Sequence, residues 1–113
     1  MYPLSFGRSL RDNHAGDLVM LIRETTPHAN QCGLANTPNL AVPPGPGFAP
    51  FADGVTKRVC SFSAYPFQHE FGHLFGANHN PENNSNTSML HPWAQAHWAN
   101  ANNPEDSART IVS

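Results

Sequence analysis

Three histidines and one glutamate lie close together in this chain, at spacings that suit metal chemistry. They are His69, Glu70, His73 and His79. On a helix, His69 and His73 lie one turn apart on the same face, so both imidazoles reach one metal ion at about 2 Å from each nitrogen. A turn after His73 would bring His79 to the same ion. Three protein ligands leave the fourth zinc position open, and the neighbouring carboxylate of Glu70 is placed to accept a proton from metal-activated water.

These side chains need a helix that holds them apart from the core, and residues 64–76 are predicted to form it. At about 100° per residue, His69, Glu70 and His73 share one face of that helix. The opposite face carries an apolar stripe. The stripe consists of Phe67, Phe71, Leu74 and Phe75. Gly76 is placed to end the helix, because glycine accepts the left-handed conformation that turns the chain.

Simpler roles for these polar residues explain less of the pattern. Histidines that only form hydrogen bonds in or near a core would not account for a separate imidazole and carboxylate face opposite a phenylalanine stripe. A structural zinc site would leave Glu70 without a chemical role. The pattern therefore favours a hydrolytic zinc site.

The composition limits what else the chain does. The 113 residues include 11 prolines and 8 glycines, and only 12% are charged, which is typical of a loop-rich globular domain and excludes a coiled coil. The formal net charge of −2 gives no electrostatic footprint for nucleic acid or an acidic membrane. The longest apolar run, residues 18–22, is too short to cross a bilayer, and residues 1–5 lack the features of a signal peptide.

Short elements are predicted on the N-terminal side of the helix. Residues 5–12 are predicted as the end of a helix, and residues 17–23 as a strand buried on both faces, with a short helix as the alternative that periodicity alone leaves open. Prolines are so dense between residues 25 and 54 that any strand there must be short and at a sheet edge. Residues 55–62 are predicted as a second strand.

Residues 69–79 resemble the extended zinc motif of the metzincin metallopeptidases, HExxHxxGxxH. Three further stretches are similar to the reprolysin-like and peptidyl-Asp-type secreted members of that clan. Residues 11–19 resemble their helix exit and central strand, and residues 32–35 their Cys-Gly turn before the substrate-facing edge strand. Residues 109–113 resemble the stretch that holds the Met-turn. Only the zinc motif is specific enough to stand alone.

The resemblance implies an α+β, zincin-like metzincin catalytic core, with a twisted mixed β-sheet and an active-site helix. It implies a zinc endopeptidase that binds protein or peptide substrates along its edge strand and hydrolyses peptide bonds with metal-activated water. Carried over residue by residue, His69, His73 and His79 are the Zn²⁺ ligands. Glu70 is the general base.

Two positions depart from the family pattern. Asn80 follows the third histidine, where the nearest relatives often have Asp, so a supporting charge is absent. Val112 is the preferred Met-turn position because its flanking residues match best, and Met89 is the alternative, at a spacing similar to that of matrixins. We expect one catalytic domain over residues 1–113, with N- and C-terminal elements of the family missing. A catalytically silent fragment or degenerate paralogue is the alternative function, and a zinc hydrolase of non-peptide amides is a third.

The two cysteines, Cys32 and Cys60, fit one disulfide in a secreted protein. Their link would close a loop of about 29 residues and stabilise the fold by roughly 3–4 kcal/mol through the chain entropy of the unfolded state. Two free thiols in a reducing compartment are the alternative. From the family resemblance and this cysteine pair we expect a secreted protein, and we expect a monomer.

Overall fold

The structure, a computed structural model, describes residues 5–26, 30–60, 65–80, 89–96, 98–99 and 108–109. Its elements are the helix α1 (Ser5–Asn13), the strands β1 (Val19–Arg23) and β2 (Gly33–Ala35), a 3₁₀ turn (Ala49–Phe51), the strand β3 (Asp53–Lys57), a second 3₁₀ turn (Arg58–Cys60), the helix α2 (Pro66–Leu74) and the short strands β4 (Trp98–Ala99) and β5 (Ala108–Arg109). The fold class is α+β. Neither of the two described helices has the length and apolar character needed to cross a bilayer.

The main sheet is mixed and has three strands in the order β1-β3-β2. β1 runs parallel to β3, and β2 runs antiparallel to it. The central strand β3 is buried along its first four residues. The three-residue β2 occupies an edge, as predicted for the proline-rich segment, because proline removes the backbone donors that a longer or central strand needs.

Two strand predictions need correction. β1 is not buried on both faces: Leu21 is 37% and Ile22 55% exposed, because β1 lies at the edge of the sheet, with β3 as its only strand neighbour among the described residues. The second strand covers residues 53–57, and residues 58–60 of the predicted range 55–62 form a 3₁₀ turn, while residues 61 and 62 lie outside the described residues. It ends at Lys57 because the chain turns into a 3₁₀ turn at Arg58, and a 3₁₀ turn cannot continue a sheet ladder.

Helix α2 packs across β2 and β3 and closes the core. Leu74 joins Phe48 and Ala52 in the buried apolar cluster. The predicted apolar stripe is only partly covered, since Phe75, beyond the end of the helix, is 75% exposed. Part of the covered helix face is taken by the side chain of Glu70, which is only 5% exposed.

A disulfide joins Cys32 to Cys60. Cys32 directly precedes β2, and Cys60 ends the 3₁₀ turn that follows β3. The backbone N–H of Lys57 also donates to the carbonyl of Cys32 at 2.7 Å. The edge strand is therefore held, covalently and by hydrogen bonds, to the chain that leads into α2.

Candidate metal centre

Helix α2 begins at Pro66, which fits the first turn because proline has no N–H to leave unpaired there. The helix is shorter than the predicted 64–76, and Ala64 lies outside the described residues. At the other end the chain turns at Gly76, whose φ of +95° is the left-handed conformation expected there. The N–H of Gly76 donates to the carbonyl of His73 at 2.8 Å and that of Ala77 to the carbonyl of Gly72 at 2.9 Å. This pair of hydrogen bonds is a Schellman motif, and it turns the chain back towards the helix.

The Gly76 turn gives a stability prediction. An alanine Cβ at this position would lie 2.8 Å from Cδ1 of Leu90, and the left-handed backbone is itself unfavourable for a residue with a Cβ. We expect Gly76→Ala to lower the free energy of unfolding by about 1–2 kcal/mol. Denaturant unfolding measures it, with Gly47→Ala as the control because no atom lies within 4 Å of a Cβ at Gly47. Equal stabilities of Gly76→Ala and the parent would contradict the prediction.

The turn brings the three predicted histidines together. The Nε2 atoms of His69, His73 and His79 form a triangle in which each pair is 3.1 Å apart. In a tetrahedral zinc site, two nitrogens each about 2.0–2.1 Å from the metal are about 3.3 Å apart. The three nitrogens therefore have the spacing of ligands around one metal ion.

The protonation state of His73 supports the same conclusion. Its Nδ1 lies 2.8 Å from the carbonyl oxygen of Ala77, and because a carbonyl only accepts, Nδ1 donates and carries the ring proton. In the neutral ring, Nε2 then has a free lone pair directed at the other two histidines. A backbone carbonyl that orients the second ring nitrogen in this way is typical of metal-binding histidines.

Burial keeps the rings of His73 and His79 neutral. Desolvation lowers the pKa of His73 to about 4, and the pKa of His79 is also lowered, first by burial and then by the charge of His69. Neutral imidazole is the form that binds a metal ion. The donor set and its spacing, together with the lowered pKa values of His73 and His79, fit a bound divalent metal.

Glu70 lies beside this triangle in sequence but is turned towards the sheet. A Cβ at Gly33 in β2 would lie 2.6 Å from Cγ and 2.7 Å from Cδ of Glu70, so the carboxylate rests against the backbone of the edge strand. Burial raises the pKa of Glu70 to about 7. A bound dication would lower this pKa again, because it favours the charged carboxylate.

A segment that sequence reasoning missed supports the loop that carries His79. Asn78 donates its N–H to the carbonyl of Ala94 at 2.9 Å and accepts from the N–H of Ala96 at 2.7 Å. Asn80, on the other side of His79, is 1% exposed. His79 therefore stands between two buried asparagines. The sequence carries no signal for this, because a two-residue pairing has no periodicity to detect.

The two candidate Met-turn positions differ in what the structure describes. Met89 is partly buried and forms an isolated β-bridge with Asn39. The next residue, Leu90, packs against Gly76. Val112, the preferred position, lies outside the described residues.

The α+β fold and the histidine triangle fit the class of metal-binding proteins, because three imidazole nitrogens lie within reach of one ion. Residues 4–110 match the family model Reprolysin_5, metallo-peptidase family M12, and the chain belongs to this family. The match confirms the resemblance to reprolysin-like metallopeptidases drawn from the sequence. No curated protein and no solved structure gives a significant match.

Proposed function

We propose that this protein is a zinc-dependent endopeptidase. The observation that carries the proposal is the triangle of Nε2 atoms of His69, His73 and His79, each pair 3.1 Å apart. Neutral imidazoles suit Zn²⁺ among the common divalent ions, and three of them leave a position for the reacting groups. Membership of metallopeptidase family M12 supports peptide hydrolysis as the chemistry.

In this proposal the three histidines bind the metal and Glu70 transfers the proton. When bound, zinc would supply Lewis acidity, which makes a water molecule more acidic and polarises the scissile carbonyl. Ala77 holds the ring of His73 in the tautomer that binds metal. Glu70 takes the proton from the attacking water and returns it to the departing amine. Burial raises the pKa of the Glu70 carboxyl group, and a neighbouring dication would lower it again. A carboxylate in this environment can accept a proton and return it near neutral pH.

The substrate class follows from the sheet. β2 pairs with β3 on one side only, within the described residues, so its other edge can accept an extended peptide by main-chain hydrogen bonds. The backbone contact of Gly33 with Glu70 places this edge next to the proposed base. Protein or peptide substrates fit such an edge, and the formal net charge of −2 does not favour nucleic acid.

The remaining assignments complete the proposal. We propose that the three-stranded sheet and α2 represent a zincin-like metzincin core, and that residues 1–113 belong to one catalytic domain. The disulfide favours an oxidising, extracellular location, and we propose a secreted monomer. Val112 is proposed as the Met-turn residue, with Met89 as the alternative.

The test is cleavage of an unfolded protein substrate by the zinc-loaded chain. We expect cleavage that stops when 1,10-phenanthroline removes the metal and returns when zinc is added back. Binding of zinc without any cleavage would contradict the proposal and favour the alternative, a catalytically silent zinc-binding relative. The neutral Asn80, where the family pattern often has Asp, is the observation behind that alternative. Cleavage restricted to non-peptide amides would favour the third function.

A further inference from the structure

The carboxylate of Glu70 lies on a position of the edge strand that has no side chain. A Cβ built on Gly33 would meet Cγ and Cδ of Glu70 at 2.6 and 2.7 Å, and Oε1 closer still. Carbon atoms in favourable contact are about 3.5–4.0 Å apart. The Glu70 side chain therefore occupies the space that any residue other than glycine would fill at this position.

The strand cannot easily move away from the carboxylate. Gly33 pairs with Thr56 of the central strand, and Cys32 is fixed by its disulfide and by the hydrogen bond from Lys57. Paired residues place their side chains on the same face of a sheet, so the fully buried Thr56 lies on the face that Glu70 covers. The carboxylate therefore lies between the backbone of β2, which is held by its strand pairing and the disulfide, and the helix α2 that carries it.

We propose that Gly33 is a positioning residue, which sets the location of the Glu70 carboxylate through direct contact of its backbone. The inference rests on the proposed function for its catalytic consequence, while the contact itself does not depend on it. Gly33 has no positive φ, so alanine fits the backbone there. The consequence of substitution then comes from the added methyl group and not from backbone strain.

Gly33→Ala is the direct test. The new methyl would displace the carboxylate by roughly 1 Å, and a misplacement of that size costs on the order of a hundredfold in rate. We expect kcat to fall about a hundredfold, with KM within about twofold of the parent and the bound zinc unchanged, because the three histidines are not touched. Parental kcat in a correctly folded, zinc-loaded Gly33→Ala would overturn the proposal.

Two other glycines provide controls. A Cβ at Gly54, on the same face of the sheet, would have its nearest contacts with the flexible end of Met20 at 2.9 Å and with Cβ of Ala35 at 3.1 Å, rather than with Glu70. We expect Gly54→Ala to lower the melting temperature while leaving kcat at the parental value. A Cβ at Gly47 meets no atom within 4 Å, so Gly47→Ala should change neither quantity. Equal losses of kcat in Gly54→Ala and Gly33→Ala would reduce the role of Gly33 to general packing and overturn the proposal.

A stability cycle tests the contact without peptidase activity. In the parent, Gly33→Ala should lower the melting temperature of the metal-free protein by roughly 5 °C or more, through overpacking. In a Glu70→Ala background, the atoms that the methyl group would meet are absent, so Gly33→Ala should lower the melting temperature only slightly. Recovery of a folded double variant supports the contact even if Gly33→Ala alone does not fold. Equal effects in both backgrounds would overturn it.

The two proposals fail separately. A parent that binds zinc and cleaves nothing contradicts the proposed function, and the stability cycle then decides the contact by itself. If the parent is active and Gly33→Ala has the same kcat as the parent, only the proposed role of Gly33 is contradicted.

Discussion

Replacing Glu70 with glutamine is expected to lower kcat by about 10²–10⁴-fold while zinc remains bound, because general-base catalysis contributes about that much. Glutamine has nearly the shape of glutamate, so it fits the confined space against Gly33 without a cavity. It cannot accept and return the proton, which isolates the chemical role from the packing role. Initial rates on an unfolded protein substrate measure the effect, and elemental analysis of the purified variant measures its zinc.

The control for Glu70→Gln is a change on the same helix outside the proposed machinery. Gln68 precedes the first histidine and is exposed, so Gln68→Ala should keep parental kcat and zinc content. Retention of more than about a tenth of the parental kcat by Glu70→Gln would contradict the assignment of the base, since even the weakest general-base contributions exceed that. Loss of zinc from the same variant would instead show that Glu70 helps to hold the metal.

The clustering of the three histidines was predictable because its determinants are local. His69 and His73 are neighbours on any helix, and the turn at Gly76 needs only the conformational freedom of glycine. His79 follows that turn closely enough for its position to be set by a few backbone torsions. Membership of metallopeptidase family M12 was likewise visible in these residues.

The environment of Glu70 was not predictable, because it depends on how closely α2 approaches β2. On a helical wheel Glu70 belongs to the polar face with the histidines, yet in the fold it is buried against Gly33. The exposure of Ile22 in β1 and of Phe75 after α2 has the same origin, since both depend on which elements cover them. Hydrophobic patterns indicate what can be buried, and only the packing of the elements determines what is.

Replacing His73 with alanine is expected to remove the metal itself. Partners that only orient a metal ligand are worth about 10–100-fold in affinity, so loss of one of three ligands should cost more than a hundredfold. His73 is the decisive choice because its Nδ1 is held by Ala77 and its Nε2 lies 3.1 Å from the Nε2 atoms of both other histidines. We expect less than about a tenth of an equivalent of zinc after dialysis, against one equivalent for the parent, and no cleavage.

Two further variants test whether the loss of zinc is specific to the histidine triangle. His14 is exposed and lies in the turn after α1, so His14→Ala removes an imidazole without touching the triangle and should retain zinc. If His73→Ala loses its fold along with its bond to Ala77, His69→Ala tests the same centre, because His69 lies further from the turn at Gly76 along the chain. Zinc bound at parental affinity by either variant would place the metal elsewhere. A metal lost from both, and kept by His14→Ala, would leave the triangle as the centre on which the proposed hydrolysis depends.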